Sequence, residues 1–321
     1  MKPIRICMLF AALALAAGAA AQPYPARPIK LIVPFPPGST PDIVGRTLGQ
    51  KLTESWGQPV VVENRTGAGG NIGTDAAAKS APDGYTLVTG INGPIAVNKA
   101  LYEHLPYDPQ KDLAPISLLV SAAQLLVVHP SVPARNLKEF VDHVRANPGK
   151  LSYGSVGSGS ASHLTMEILK SEAKLYIVHI PYRGFPPVVT DLLGGNIHAT
   201  FAIAPAVLPQ VKAGKLKGLA VTSAARNALA PEIPTVAEQG FPRFDATAWI
   251  GVLAPAGTPA AIVEQLGAEA QRIMRLTEVR AALEKLGFDV IGSSPAQFAA
   301  FIRAETEKWT QVVRAVGAKP D

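Results

Sequence analysis

Strand-like and helix-like segments alternate along almost the whole chain, and no other feature narrows the fold as much. Short runs rich in Val, Ile and Leu at 29–33, 60–63, 85–89, 125–129, 151–153, 177–180, 197–203, 216–222 and 249–253 read as strands. Amphipathic stretches lie between them. Asn136 precedes Leu137, Phe140, Val141 and Val144, with Glu139 placed to complete a capping box and Asn147-Pro148-Gly149 to end the helix. Thr258-Pro259 and Ser294-Pro295 each set a capping residue before a proline suited to a first helical turn. A last helix through Phe298, Phe301, Ile302, Trp309 and Val313 is expected to clamp one lobe. The order predicts an α/β fold with largely parallel sheets.

Before this pattern begins, Lys2 and Arg5 precede an apolar, Ala-rich run over 6–17, and Ala19-Ala20-Ala21 offers small residues for cleavage before Gln22. That is the three-part plan of a secretory signal peptide, and the run is short for a membrane span. The only cysteine, Cys7, lies in the segment to be removed and precedes the apolar run, so it is not a lipid-attachment residue. The mature chain of about 300 residues then has no thiol for a disulfide, a metal site or a nucleophile, and is long enough for two lobes. Its formal charge falls from +6 to +4 as Lys2 and Arg5 leave. The excess is spread along the chain, which argues against nucleic acid and leaves a weak attraction for small anions. The expected product is soluble and lies outside the cytoplasm. The uncharged segment 114–124 offers a crossing between lobes and 222–227 a return. The expected division is a first lobe over 22–123, a second over 124–224, and a return to the first over 225–321.

Four strand-to-helix turns carry the polar chemistry. The first, Phe35-Pro36-Pro37-Gly38-Ser39, opens a helix at Thr40-Pro41, where unpaired N–H groups and the helix dipole favour an anion. Asp42 either favours that dipole or selects a ligand's ammonium or hydroxyl group. The second, 63–73, nearly matches a dinucleotide fingerprint, but Ile72 stands where its third glycine belongs, so its glycines read as a tight turn with close helix packing. The third, 152–164, carries Ser155, Gly157, Ser158, Gly159 and Ser160, whose N–H groups and hydroxyls suit an anion nest. It is neither a P-loop nor a nucleophile elbow, and His163 reads as a packing residue at the helix start. In the fourth, 179–192, Arg183 beside Gly184 can pair with a carboxylate or stand in solvent. The six histidines lack the i, i+4 spacing of a metal site.

Taken together, "YPARPIKLIVPFPPGSTPD", "GQPVVVENRTGAGGNIG", "PDGYTLVTG", "LPYDPQKDLAPIS", "YGSVGSGSASHL", "HIPYRG", "PTVAEQGF" and "APAGTP", in this order, resemble the extracytoplasmic solute receptors of the tripartite tricarboxylate transporter family, the Bug receptors. The resemblance runs from about Tyr24 to Val316. It implies a two-lobed periplasmic binding protein of the type II, Venus-flytrap kind, a monomer without cofactor. Such a protein closes over a dicarboxylate, aromatic acid or amino acid for membrane subunits of a tripartite transporter. It implies one jaw at Phe35, Pro36, Pro37, Gly38, Ser39 and Asp42 with Asn92 beside them, and a second at Ser155, Gly157, Ser158, Gly159 and Ser160 with Arg183 and Gly184. Ser39, Pro41 and Ala202 depart from the family's usual residues, and the ligand of a particular relative does not transfer. A sensory receptor, or a secreted hydrolase using Ser158 or Ser160 with His163, are the alternatives; the hydrolase lacks a third, orienting group.

Overall fold

The computed structural model describes residues 24–317 apart from 224, 228, 243 and 245; the expected leader, 1–21, lies outside these residues. Strand β1 (Ile29–Val33) buries every residue but Lys30, as a strand covered on both faces must. The helix α1 (Thr40–Trp56) that follows lays Val44, Leu48 and Leu52 over Ile29, Leu31 and Leu87. Strand β1 pairs in parallel with β2 (Val60–Asn64) on one side and with β3 (Thr86–Ile91) on the other. The β2–β3 crossover carries a short 3-10 turn, Ala68–Gly70, and helix α2 (Asn71–Ala78). A π turn, Gly93–Val97, and the short α3 (Asn98–Leu101) follow β3.

Strand β4 (Leu113–Val128) is 16 residues long and joins the two halves of a ten-stranded sheet. Helix α4 (Leu137–Ala146), β5 (Ser152–Ser155), α5 (Ala161–Ala173), β6 (Val178–Pro181), α6 (Phe185–Leu193), β7 (Ala199–Ile203), α7 (Ala204–Lys212) and β8 (Lys217–Val221) come next. The chain then runs through β9 (Thr247–Pro255), α8 (Ala260–Met274), α9 (Thr277–Lys285), the two-residue β10 (Asp289–Val290) and α10 (Pro295–Val316). From Leu113 to Ala123, β4 lies antiparallel to β9; from Gln124 to Val128 it lies antiparallel to β7 and, from Leu125, to β8.

The sheet is therefore mixed, where largely parallel sheets were expected. Pairs built through helical crossovers, β1 with β2 and β3, and β5 with β6 and β7, are parallel. Strands β4 and β9 pass between the halves in opposite directions, so each runs against its neighbours. The segment expected to be a crossing, 114–124, is itself strand.

One apolar cluster, with Leu31, Leu48, Ile250 and Ile273, serves the β1 half, and another, with Val127, Val188, Leu192 and Val207, the β5 half. Ala230 and Ile233 lie in the latter, so part of the stretch expected to return to the first lobe is packed on the second half. A third cluster bridges both, joining Val88 and Ile95 to Leu164, Phe201 and Trp309. Helix α10 is fixed by its buried Glu305, whose Oε2 accepts from Trp249 Nε1 and Trp309 Nε1 (each 2.9 Å) and from Asn92 Nδ2 (3.2 Å). These three donors, with Lys308 Nζ on Oε1 (2.5 Å), satisfy a carboxylate that would be costly to bury alone.

Caps follow the sequence with two changes, the first being that Glu139 leaves the Asn136 box incomplete by accepting Arg135 N–H (2.9 Å). Asn136 accepts from Glu139 N, and Ser294 with Gln297 forms a full capping box. Thr258 does not cap: its hydroxyl donates to Pro255 O, and α8 begins after Pro259.

Candidate functional site

The first turn is strapped from within its own half. Asp42, 2% exposed, accepts Gly38 N–H at Oδ2 (2.8 Å), Asn64 Nδ2 at Oδ1 (2.8 Å) and Arg46 Nε at both oxygens (3.0 Å). Asn64 Nδ2 also reaches Phe35 O (2.9 Å), and Ser39 N–H donates to Pro36 O (3.1 Å). Burial alone would raise the Asp42 pKa, but hydrogen bonds from Arg46, Asn64 and Gly38 outweigh it and hold the carboxyl below its ordinary value. Asp42 is thus the anchor of the turn, with both of its oxygens engaged within the protein. Ser39 occupies the cap position of α1, yet its hydroxyl makes no cap bond, and its buried Oγ has no partner among the described residues. The first-turn N–H groups of Thr40 and Asp42 lack intrahelical acceptors and carry the positive end of a 17-residue helix.

Asn92 also serves the framework. Its Oδ1 accepts Trp249 N–H (3.1 Å), and its Nδ2 donates to Thr247 O and Glu305 (each 3.2 Å). Both ends of the amide are engaged beneath the cleft side of β3.

The third turn turns most of its N–H groups inward, where an outward-facing nest was expected. Val156 N–H goes to Ser162 Oγ (3.1 Å), Gly157 N–H to Ser155 Oγ (3.1 Å), Gly159 N–H to His163 Nδ1 (3.1 Å) and Ser160 N–H to Gly157 O (3.1 Å). Ser160 caps α5 by accepting His163 N–H (3.3 Å), and Ser155 Oγ meets His179 Nε2 at 2.7 Å. A largely buried loop has to pair its backbone N–H groups within the protein, which explains the result. The first-turn N–H groups of α5, at Ala161 and Ser162, lack intrahelical acceptors. Ser158 is 8% exposed within this turn.

The fourth turn is its neighbour: Tyr182 N–H donates to Ser155 O (2.9 Å), and Gly157 lies beside Tyr182 O. Arg183 is exposed, without an ion pair among the described residues, and Gly184 caps α6 at φ +106°. Both sit at the rim, on the turn after the sheet's outermost strand, β6.

Turns from the two halves touch. A Cβ on Gly93 would stand 3.1 Å from Gly159 O, and one on Gly69 would stand 3.3 Å from Ser158 O. One on Gly159, where φ is +76°, would stand 2.5 Å from Asn98 Oδ1 and 3.0 Å from Leu101 Cδ2. Asn98 is itself held by donating to Asn71 Oδ1 at 2.6 Å, while its buried Oδ1 has no hydrogen-bond partner among the described residues. Phe35 joins from the first turn, its ring against Gly70. The sequence pointed to the turns after β1 and β5, and to the one holding Gly69 only as a tight, closely packed turn, but not to Gly93, Asn98 or Leu101. Those residues lie on short, irregular helical turns without periodic signal.

The chain's likenesses agree with this architecture. Residues 44–318 match the model of the tripartite tricarboxylate transporter family receptor. Protein BugT of Bordetella pertussis is 40% identical over 315 residues, covering 98% of this chain and 97% of its own. Two solved structures superpose over the full length of the other chain. One, from R. palustris and solved with adipate, has a TM-score of 0.87 at 34% identity and covers 93% of this chain. The other, MatC from Rhodopseudomonas palustris with bound malate, has a TM-score of 0.83 at 31% identity and covers 90%. A two-lobed α/β receptor fold with a cleft between its lobes follows, and the chain belongs to the receptors of the tripartite tricarboxylate transporter family.

Proposed function

We propose that this protein is a periplasmic receptor that closes over a small organic carboxylate, leaves it unaltered, and presents it to the membrane subunits of a tripartite transporter. The observation that carries this reading is the meeting of turns from opposite halves, 69 and 93 against 158 and 159, beside the N-termini of α1 and α5. Those termini supply N–H donors and partial positive charge, which suit a carboxylate held without chemistry. Adipate and malate on two full-length structural relatives favour an aliphatic acid as the ligand here, with dicarboxylates first. The proposed contacts are Ser39 and the first-turn N–H groups of α1 from one side, and Ser158 with the first-turn N–H groups of α5 from the other. Arg183 and Gly184 form the rim, while Asp42, Asn92, Ser155 and Gly159 shape the walls.

The lobes are proposed as 24–123 with 247–317, and 124–246. Their hinge is at Gln124, whose N–H donates to Thr222 Oγ1 (2.8 Å) and whose carbonyl accepts Thr222 N–H (2.9 Å). Against a serine hydrolase stands the use of Ser160 as a helix cap and of His163 Nδ1 as an acceptor for a backbone N–H.

A thermal-shift panel of aliphatic dicarboxylates, hydroxy acids, aromatic acids and amino acids tests this reading. An acid at about a hundred times its Kd stabilises the fold by about 2.7 kcal/mol, and mass spectrometry recovers it unchanged. A panel with no stabilising acid, or a stabilising acid that is consumed, overturns it.

A further inference from the structure

Behind the third turn lies a polar stack that the receptor reading does not use. The rings of His163 on α5 and His179 on β6 stack with centroids 4.2 Å apart and 19° between planes. Tyr153 on β5 continues the stack, 4.8 Å from His179. Its hydroxyl donates to Glu167 Oε1 (2.6 Å), which also takes Lys170 Nζ (2.5 Å) and lies 3.8 Å from His163 Nε2. One aromatic nitrogen of this stack receives the turn's backbone directly, and a second is linked to it through a serine hydroxyl. Gly159 N–H donates to His163 Nδ1, and Gly157 N–H donates to Ser155 Oγ, which in turn meets His179 Nε2.

The hydrogen-bond polarity fixes the protonation. A backbone N–H has only a proton to give, so His163 Nδ1 presents a lone pair and its ring carries the proton on Nε2, toward Glu167. Ser155 Oγ, which accepts from Gly157, has a second lone pair as well as its proton, so its 2.7 Å bond to His179 Nε2 runs in the direction that ring's tautomer sets. A second proton on His163 would set two donors face to face at Gly159 and place a charge against the neighbouring imidazole. Glu167 favours that charge, but Tyr153 and Lys170 already occupy its Oε1.

We propose that His163 is a positioning residue for ligand capture: with Nδ1 unprotonated it holds the 156–160 turn in the shape that meets Gly69, Gly93 and Asn98, and capture weakens when that nitrogen takes a proton. The inference rests on the receptor reading for its consequence but not for its geometry, and the two are tested separately. In protein labelled with 15N at histidine and glycine, His163 shows a bare Nδ1 and a protonated Nε2 at pH 7.5. The Gly159 amide shifts with the same midpoint as the His163 ring when pH is lowered. A protonated Nδ1 at pH 7.5, or a Gly159 amide indifferent to the His163 titration, overturns the proposal whether or not any acid binds.

The second arm uses whichever of malate, adipate or aspartate binds the parent most tightly. His163→Phe keeps the stack and loses the acceptor, weakening binding about tenfold. His163→Asn restores an acceptor that does not titrate, and regains affinity with a flat profile between pH 8 and 5, where the parent's falls. Equal pH profiles for His163→Asn and the parent overturn the proposal. Failure of all three acids to bind counts against the receptor reading alone, and the labelled spectra still decide the role of His163.

Discussion

The turn after β1 and the turn after β5 share a plan, strand to glycine-bearing loop to capped helix, yet they are held by opposite chemistry. The first is tied to a carboxylate: Asp42 gathers Gly38, Asn64 and Arg46 around one charge. The second is tied to neutral acceptors, one imidazole and two serine hydroxyls, under a nearly closed surface. A charged anchor tolerates the half-open rim where Arg46 reaches water. Beneath the second turn an unpaired charge would be expensive, and uncharged acceptors answer the same backbone demand. Each turn also places a glycine at φ +76°, Gly38 in open space and Gly159 against Asn98 and Leu101. Equal backbone geometry with unequal surroundings makes these two residues a controlled pair.

The largest expected effect separates that pair. Gly159→Val drives a side chain into Asn98 and Leu101 and keeps the halves from meeting. Calorimetry should show a loss of about 3 kcal/mol, or over a hundredfold in Kd, with circular dichroism unchanged. Parental affinity in the folded variant would show that the contact is not made on capture. Next comes Asp42→Asn, which removes the charge from a buried set of donors and should lower stability by about 2 kcal/mol in urea titration at pH 7. Because the folded pKa of Asp42 is depressed, its contribution is complete above the unfolded carboxyl pKa of about 4 and is lost as pH falls through the lower folded value. The stability gap between parent and variant should therefore begin to narrow below about pH 4 and close as pH passes the lower folded value; a gap that does not narrow as acid is added would move the cause away from ionisation. The smallest effect is for Gly38→Ala. With nothing within 4 Å of its Cβ, it bears only the left-handed backbone strain of about 1 kcal/mol. A thermal melt checks it, and a loss as large as that of Gly159→Val would erase the distinction between the two sites.

How much of this was legible beforehand depended on period and locality. Strand β1 and the face of α4 were readable because apolar spacing and a cap coincide with the final packing. Segment 114–124 was read as a crossing, since an apolar stretch interrupted by Pro115, Ser117 and Ser121 carries no clear period of two. It became strand through pairing with β9, more than a hundred residues away. The turns themselves were visible in their glycines and serines, but the direction of their N–H groups was not. Gly159 faces inward because His163 is four residues on and stacked on His179 from another strand, a relation no local pattern encodes. For Asp42 and Asn92 the hydrogen bonds to Asn64, Arg46, Trp249 and Glu305 were equally hidden, since those partners are brought beside them only by the fold.

The 16-residue β4 has a consequence for how the molecule comes apart. Its first eleven residues belong to the ladder with β9 and its last five to the ladders with β7 and β8, with no loop between them. Fraying in one ladder is transmitted along a continuous backbone to the next, and the bridging apolar cluster adds side-chain coupling in parallel. Amide exchange at Leu118 and at Val127 should therefore follow a single global opening, and a chain severed between Ala123 and Gln124 would deny each half the strand that completes its sheet.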